Sequence, residues 1–301
     1  MPKHHFSRPV ISLALLILLG IIWGTGYSIA RFAMTNGVPP LGYSFWQSLG
    51  PALVMGLLSI CSTRGITMSA TRARFYLVTG LTGIVIPNTT MYFAAPHLPA
   101  GILAMIVNTV PIIAYPMALF ARIETFNWER MIGIFLALFG LMLIILPASS
   151  LPSPDMVPWV VSTLITPLSF AFCSIYIARY RPAGSDSLAL SAGMLIFSTV
   201  MLLPLVVMTH SFYSFHMPMT TPDWVVLLEI VLSSIGYILF FQLIKIAGPV
   251  YYSLVDTIVV ITGLFWGRMI FDERLNSWTF AAVFLIVLAL LLVTRHQRKI
   301  R

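Results

Sequence analysis

The chain has 301 residues, of which 59% are hydrophobic and only 9% charged, with a mean hydropathy of +0.95. A water-soluble globule of this length cannot hide so much apolar surface, which excludes a soluble fold and leaves an all-α polytopic membrane protein. The formal charge of +8 would point to nucleic acid in a soluble protein, but here the basic residues must be read loop by loop, and no nucleic-acid partner is expected.

The first apolar run, roughly 10 to 33, follows Lys3 and Arg8 as the core of a secretory signal does. It exceeds the roughly 7 to 15 residues of such a core and lacks a small-x-small cleavage site, so it is expected to stay as the first membrane helix. Further runs follow at roughly 41 to 62, 74 to 95, 100 to 120 and 130 to 147. A Pro/Ser-rich linker at about 147 to 158 then divides the chain into halves, 1–150 and 151–301. Five more runs lie at roughly 158 to 178, 187 to 209, 223 to 245, 249 to 270 and 278 to 294. Each is near the ~20 residues that cross the hydrocarbon at 1.5 Å per residue, so ten transmembrane helices are expected. The two cysteines, Cys61 and Cys173, support neither a disulfide framework nor a metal site, and the Asn88–Thr90 sequon lies within an apolar run.

Orientation follows from lysine and arginine. With a cytoplasmic amino terminus, fourteen of the seventeen fall in cytoplasmic segments and only Arg31, Arg268 and Arg274 fall outside. Both termini are therefore expected in the cytoplasm. Five runs per half then place the halves in opposite orientations. The closing stretch repeats an earlier one in a faint register: Glu124 with Asn127 matches Glu273 with Asn276, and Ile112/Ile261, Leu136/Leu285 and Leu143/Leu292 keep step. This is the mark of two inverted five-helix repeats, a plan that lets a central site open to either side.

Several short motifs carry a resemblance. Gly20-Ile-Ile-Trp23-Gly24-Thr25 in the first run, His97-Leu-Pro-Ala-Gly101 leading to Pro111, Glu124 followed by Gly133 and Gly140, Gly248-Pro249, and Phe271-Asp-Glu-Arg-Leu275 occur in order along nearly the whole chain. Together they resemble the EamA-type branch of the drug/metabolite transporter superfamily. The resemblance implies ten helices, a cavity lined by helices 1 to 4 and 6 to 9, peripheral helices 5 and 10, and a bacterial inner-membrane exporter of amino acids or related small metabolites. Ala282 and Ala289 replace the glycines seen at Gly133 and Gly140, which makes close backbone packing in the last helix less expected.

Candidate site residues are those costly to keep in lipid, where an ionisable group is penalised by about 2.5 to 3.5 kcal/mol. Asp256 stands seven residues after Pro249, about 10 Å along the ninth helix. Glu229 stands some six residues into the eighth from the outside, where it would either snorkel to the rim or carry a proton. The two are offset in depth, and either could couple transport to protons or pair with a substrate amine. Trp23, Tyr27 and Arg31 recur every four residues on one helical face, either an aromatic surface with a cation for a substrate carboxylate or an interfacial belt. Gln47, Asn88, Tyr92, Asn108, Tyr176, Tyr237, Gln242 and Trp266 are further polar or amphipathic candidates, of which all but the two glutamines complete the substrate-binding set, with ordinary core or belt positions as the alternative for the Tyr and Trp residues. Pro87, Pro111 and Pro167 each remove an amide donor within a run and are the hinge candidates, with packing kinks as the alternative.

A secondary transporter of a small molecule accounts for these features, as a monomer or homodimer in the lipid bilayer, with the proton as candidate coupling ion and no cofactor or metal. A membrane-embedded enzyme would need a nucleophile–base or metal set, and no His-Glu-x-x-His or Gly-x-Ser-x-Gly pattern occurs. A receptor or scaffold would leave Asp256 without a role.

Overall fold

The computed structural model describes residues 8–61, 68–145, 153–252, 255–273 and 277–295, and these are helical apart from short connections, with no strand among them. Asn276, the earlier part of the 147–158 linker and the residues of the Arg274-Leu275 motif end lie outside the described residues. Six helical stretches, Val10–Thr35, Pro40–Cys61, Ala100–Phe120, Pro154–Tyr180, Ser187–Met208 and Thr221–Phe240, are long and apolar enough to cross a membrane.

The first two runs are single helices, α1 (Arg8–Thr35) and α2 (Pro40–Cys61). The third is interrupted: α3 (Ala70–Gly80) passes through a π turn, Leu81–Val85, into α4 (Ile86–Ala94). The cause is Pro87, which has no N–H to offer Gly83 and whose ring would crowd that carbonyl. The turn widens, so that the Ile86 N–H bonds to Leu81 O and the Thr82 carbonyl is freed. The fourth run breaks at Asn108 and Thr109 between α5 (Ala100–Val107) and α6 (Val110–Phe120), just before Pro111. The sixth breaks at Leu164 between α8 (Val157–Thr163) and α9 (Ile165–Tyr180), just before Pro167.

The freed Thr82 carbonyl and the neighbouring Pro87 carbonyl find side-chain partners. Ser169 Oγ donates to Thr82 O at 2.7 Å, and Thr166 Oγ1 donates to Pro87 O at 3.1 Å while sharing a 2.7 Å bond with Thr90 Oγ1. Two proline-broken segments are thus stitched together at the places where lipid could not have satisfied them.

The remaining helices are α7 (Trp128–Ile145), α10 (Ser187–Met208), α11 (Thr221–Tyr252), α12 (Val255–Phe271) and α13 (Ser277–Arg295). In packing, α2 lies on α10 and α11, α1 on α11 and α12, α9 on α4 and α6, α12 on α5, α10 on α3, and α7 on α13. The α7 and α13 pair turns Phe135, Phe139, Phe280 and Phe284 outward as an exposed apolar face. Ala282 and Ala289 are fully buried there, and a Cβ on Gly140 would sit 3.2 Å from Ala282 O. Close packing is therefore kept despite the alanines, with Gly140 giving the room for the Ala282 carbonyl and the Ile286 side chain.

One boundary differs from expectation. Gly248-Pro249 does not end a helix, since α11 continues to Tyr252, and the next described helix is α12, from Val255. Phe240 and Tyr252 stand twelve residues apart, ~18 Å in a straight helix, yet their ring centroids are 4.8 Å apart. The helix is therefore sharply bent between them, as a proline bends a helix without ending it. Asp256 stands in the first described turn of α12.

A loop from Thr209 to Thr220 seats on α2. Trp46 Nε1 donates to Tyr213 O at 2.8 Å, and a Cβ on Gly42 would come within 2.5 Å of Ser211 O. Its fastening is Asp223, which accepts from Tyr213 Oη at 2.6 Å and from the Thr220 N–H and hydroxyl at 2.7 and 2.6 Å. Burial and the adjacent carboxylate push the Tyr213 hydroxyl up to about 12.

Candidate functional site

Two polar assemblies lie inside the bundle. The first is built on Glu229 of α11. A glutamate here was open to a rim reading from its place in the sequence, but the structure buries it at 6% exposure, because Gly26 of α1 opens space opposite the carboxylate, with a Cβ position 3.5 Å from Oε1. Ser233, one turn on, donates to Glu229 Oε1 at 2.8 Å, and Gln47 Nε2 of α2 reaches the same oxygen and Ser233 Oγ at 3.5 Å. Asn88 of α4 donates to Gln47 Oε1 at 2.7 Å. Tyr43 and Tyr92 meet edge to face beside this chain, with centroids 4.8 Å apart. Glu229 Oε2 and Tyr43 Oη are buried with no hydrogen-bond partner.

The second assembly is aromatic. Trp23 of α1 packs against Phe240 at 5.8 Å and Tyr252 at 6.0 Å, and the rings of Phe240 and Tyr252 complete a triad. Gly236 admits the indole, since a Cβ there would lie 2.6 Å from Trp23 Nε1. Tyr27, one turn above Trp23, accepts a 3.1 Å bond from Asn108 Nδ2, and Asn108 also donates to Ala104 O at 2.7 Å, which fills the break before Pro111. Asp256 lies within electrostatic reach of Tyr27 and Tyr252. Trp23, Tyr27, Tyr237, Phe240, Tyr252 and Asp256 are all half-buried rather than sealed.

The structure thus brings Trp23, Tyr27, Asn108 and Asp256 into one neighbourhood and Asn88, Tyr92 and Glu229 into an adjacent one, with Tyr237 in electrostatic reach of Glu229 and of Tyr252. Arg31 is separated from them. Its guanidinium is ion-paired with Glu273 and sits 4.4 Å over the Phe271 ring, so it is not a free cation awaiting a carboxylate. The equal four-residue spacing of Trp23, Tyr27 and Arg31 keeps one helical face, but that face crosses two different neighbours. Glu273 also accepts the N–H of Ala100 at 2.7 Å and of Gly101 at 3.3 Å. Tyr176 lies elsewhere, stacked with Phe75 at 6.0 Å and against Tyr180, and Trp266 packs edge-on with its neighbour Phe265. Neither contact joins the two assemblies. Pro87, Pro111 and Pro167 stand at the three helix breaks described above.

Reading the sequence missed Tyr43, Ser233, Phe240 and Tyr252. Ser233 had a signal, being four residues from Glu229 on the same helix. Tyr252 had none, because its position depends on the bend near Pro249.

Three arginines are ion-paired. Arg130 pairs with Glu124 at 3.1 Å and Arg268 with Asp272 at 2.7 Å, as Arg31 does with Glu273. Among the described residues no lysine or arginine pairs with Glu229 or Asp256. No group of three or more metal-ligating side chains occurs among them either.

Comparison with known proteins gives three results. A model of the EamA-like transporter family matches residues 10–146 and again residues 157–295. Protein PecM of Dickeya dadantii (strain 3937) is 23% identical over 274 residues, covering 90% of this chain and 88% of that relative. One solved structure, a crystal structure of a protein 14% identical to this chain, superposes with a TM-score of 0.65 over 96% of this chain and 98% of that one, a likeness of fold.

Proposed function

The chain belongs to the EamA-like transporter family, and on that premise we propose that it is a secondary active transporter exporting small amphiphilic metabolites, the class that includes amino acids and amines, across a bacterial inner membrane. The observation that carries this reading is the half-buried cluster of Trp23, Tyr27, Tyr237, Phe240, Tyr252 and Asp256 between α1, α11 and α12. It offers apolar ring faces and one charge to a ligand that is itself part apolar and part polar. The coarse identity, a multi-pass membrane protein of a transporter family, is its starting point.

Ten spans in two inverted halves, 1–150 and 151–301, would give this site access to each side in turn. Helix packing supports that plan. Exchanging each span with its counterpart in the other half turns the α1 contacts with α11 and α12 into the α9 contacts with α4 and α6, and the α2–α11 contact into the α10–α3 contact. The pairs α2–α10, α5–α12 and α7–α13 map onto themselves. The breaks at Pro87, Pro111 and Pro167 are the proposed hinges, and the excess of lysine and arginine on one side supports cytoplasmic termini.

Reconstitution tests the reading. Purified protein in proteoliposomes should show saturable counterflow of at least one member of a panel of amino acids and amines. Folded protein that moves none of them would overturn it. Proton coupling through Asp256 or Glu229 is tested separately, under an imposed pH gradient. Asp256→Asn or Glu229→Gln should abolish the gradient's effect on uptake, and full gradient-driven uptake in both variants removes these residues as proton carriers.

A further inference from the structure

We infer that the transported solute binds through a positively charged nitrogen, as an organic cation without need of a carboxylate, and that Asp256 with Trp23, Phe240 and Tyr252 forms its docking site. The inference rests on the transport reading for its physiological meaning, but the site itself is argued from charge and geometry.

The charge inventory is the first support. Arg31, Arg130 and Arg268 each have an acidic partner, so a substrate carboxylate entering from solvent would find them taken. Glu229 and Asp256 have no cationic partner among the described residues. An isolated carboxylate in such surroundings is costly unless a counter-ion or proton arrives. A field of this sign attracts cations and repels anions.

The shape of the site is the second. Asp256 makes no hydrogen bond to any described residue, and the residue as a whole is half-buried. Three aromatic rings within 4.8 to 6.0 Å of one another stand beside Tyr27, with mutual angles of 36° to 87°. Rings inclined to one another present more than one negative π face to an approaching cation.

A third, independent observation lies at Glu229 of α11 and Tyr43 of α2. Glu229 Oε2 and Tyr43 Oη are both buried without a partner, while the other carboxylate oxygen is held by Ser233. An ammonium group carries three donors and no acceptor. It could donate to either oxygen, whereas an anion could not satisfy the Glu229 carboxylate.

Three probes that share a phenyl ring and differ in charge separate the possibilities: 2-phenylethylamine, 3-phenylpropionate and phenylalanine. With the full chain purified in detergent, 2-phenylethylamine should bind saturably and raise the melting temperature. Phenylalanine should bind about tenfold more weakly or worse, and 3-phenylpropionate should not bind. Asp256→Asn should weaken the amine by about tenfold or more, equivalent to ~1.4 kcal/mol, with Asp256→Glu recovering most of the loss and both variants melting near the parent. Binding of 3-phenylpropionate as tight as the amine, failure of all three to bind, or undiminished amine affinity in a folded Asp256→Asn protein would each overturn the inference. Because binding needs no gradient or vesicle, an amine that binds yet is never moved overturns the transport reading alone. Saturable transport of an anion without amine binding overturns this inference alone.

Discussion

Asn88 donates its side-chain amide to Gln47 Oε1 at 2.7 Å, and Gln47 turns its own amide toward Glu229 and Ser233. Three helices, α4, α2 and α11, are thereby joined by one buried polar chain. Gln47→Leu keeps most of the volume and removes every bond, leaving Asn88 without an acceptor for its amide. Loss of a partner for a buried polar group costs about 1 to 3 kcal/mol, so this variant should melt measurably lower in detergent. Gln47→Glu should be worse, because it sets a second carboxylate against Glu229. An unchanged melting curve for both would show that this chain of bonds holds nothing together.

The Arg31 and Glu273 pair links α1 to the connection before α13, and through the Ala100 and Gly101 amides also to the start of α5. Glu273→Ala strands a largely enclosed guanidinium and two helix-terminal N–H groups at once. Breaking such a pair by removing one partner costs about 3 to 5 kcal/mol. Arg31→Met together with Glu273→Gln should recover a large part of that loss, since neither residue then carries an unmatched charge. A double-mutant cycle on thermal stability measures it, and additive effects of the two substitutions would count against the coupling.

Glycines in this fold fall into two classes that a single substitution distinguishes. A Cβ on Gly263 would lie 2.5 Å from Ala104 Cβ, and one on Gly24 would lie 2.8 Å from Val259 O, so α12 is pressed against both α5 and α1. Gly56 in α2 has nothing within 4 Å of that position. Gly263→Ala and Gly24→Ala should each destabilise by roughly 1 to 3 kcal/mol through forced displacement. Gly56→Ala should be neutral or stabilising by up to ~1 kcal/mol, because alanine is the better helix former. Equal effects at all three positions would mean that the close approaches are not holding the helices.

Much of the architecture was legible because the bilayer leaves the chain few choices. Apolar runs of about 20 residues, the prolines that interrupt them and the uneven distribution of arginine all follow from what hydrocarbon tolerates. Pro87, Pro111 and Pro167 accordingly stand at real breaks in the helices. Pro249 shows the limit of that reasoning. A missing amide can end a helix or bend it, and the outcome depends on which neighbours receive the freed backbone.

The site was less legible for the same reason. The sequence by itself determined which side chains are expensive in lipid, and Asp256, Glu229, Asn88 and Asn108 are all among them. It could not determine their partners, because a helix dictates its own face but not what that face meets. Trp23, Tyr27 and Arg31 share one face, yet only the tertiary structure ties Arg31 to Glu273, 242 residues away, and leaves Trp23 and Tyr27 beside an acid. Whether a buried charge is neutralised is a property of long-range packing, and that packing pairs Arg31 while giving Asp256 and Glu229 no cation among the described residues.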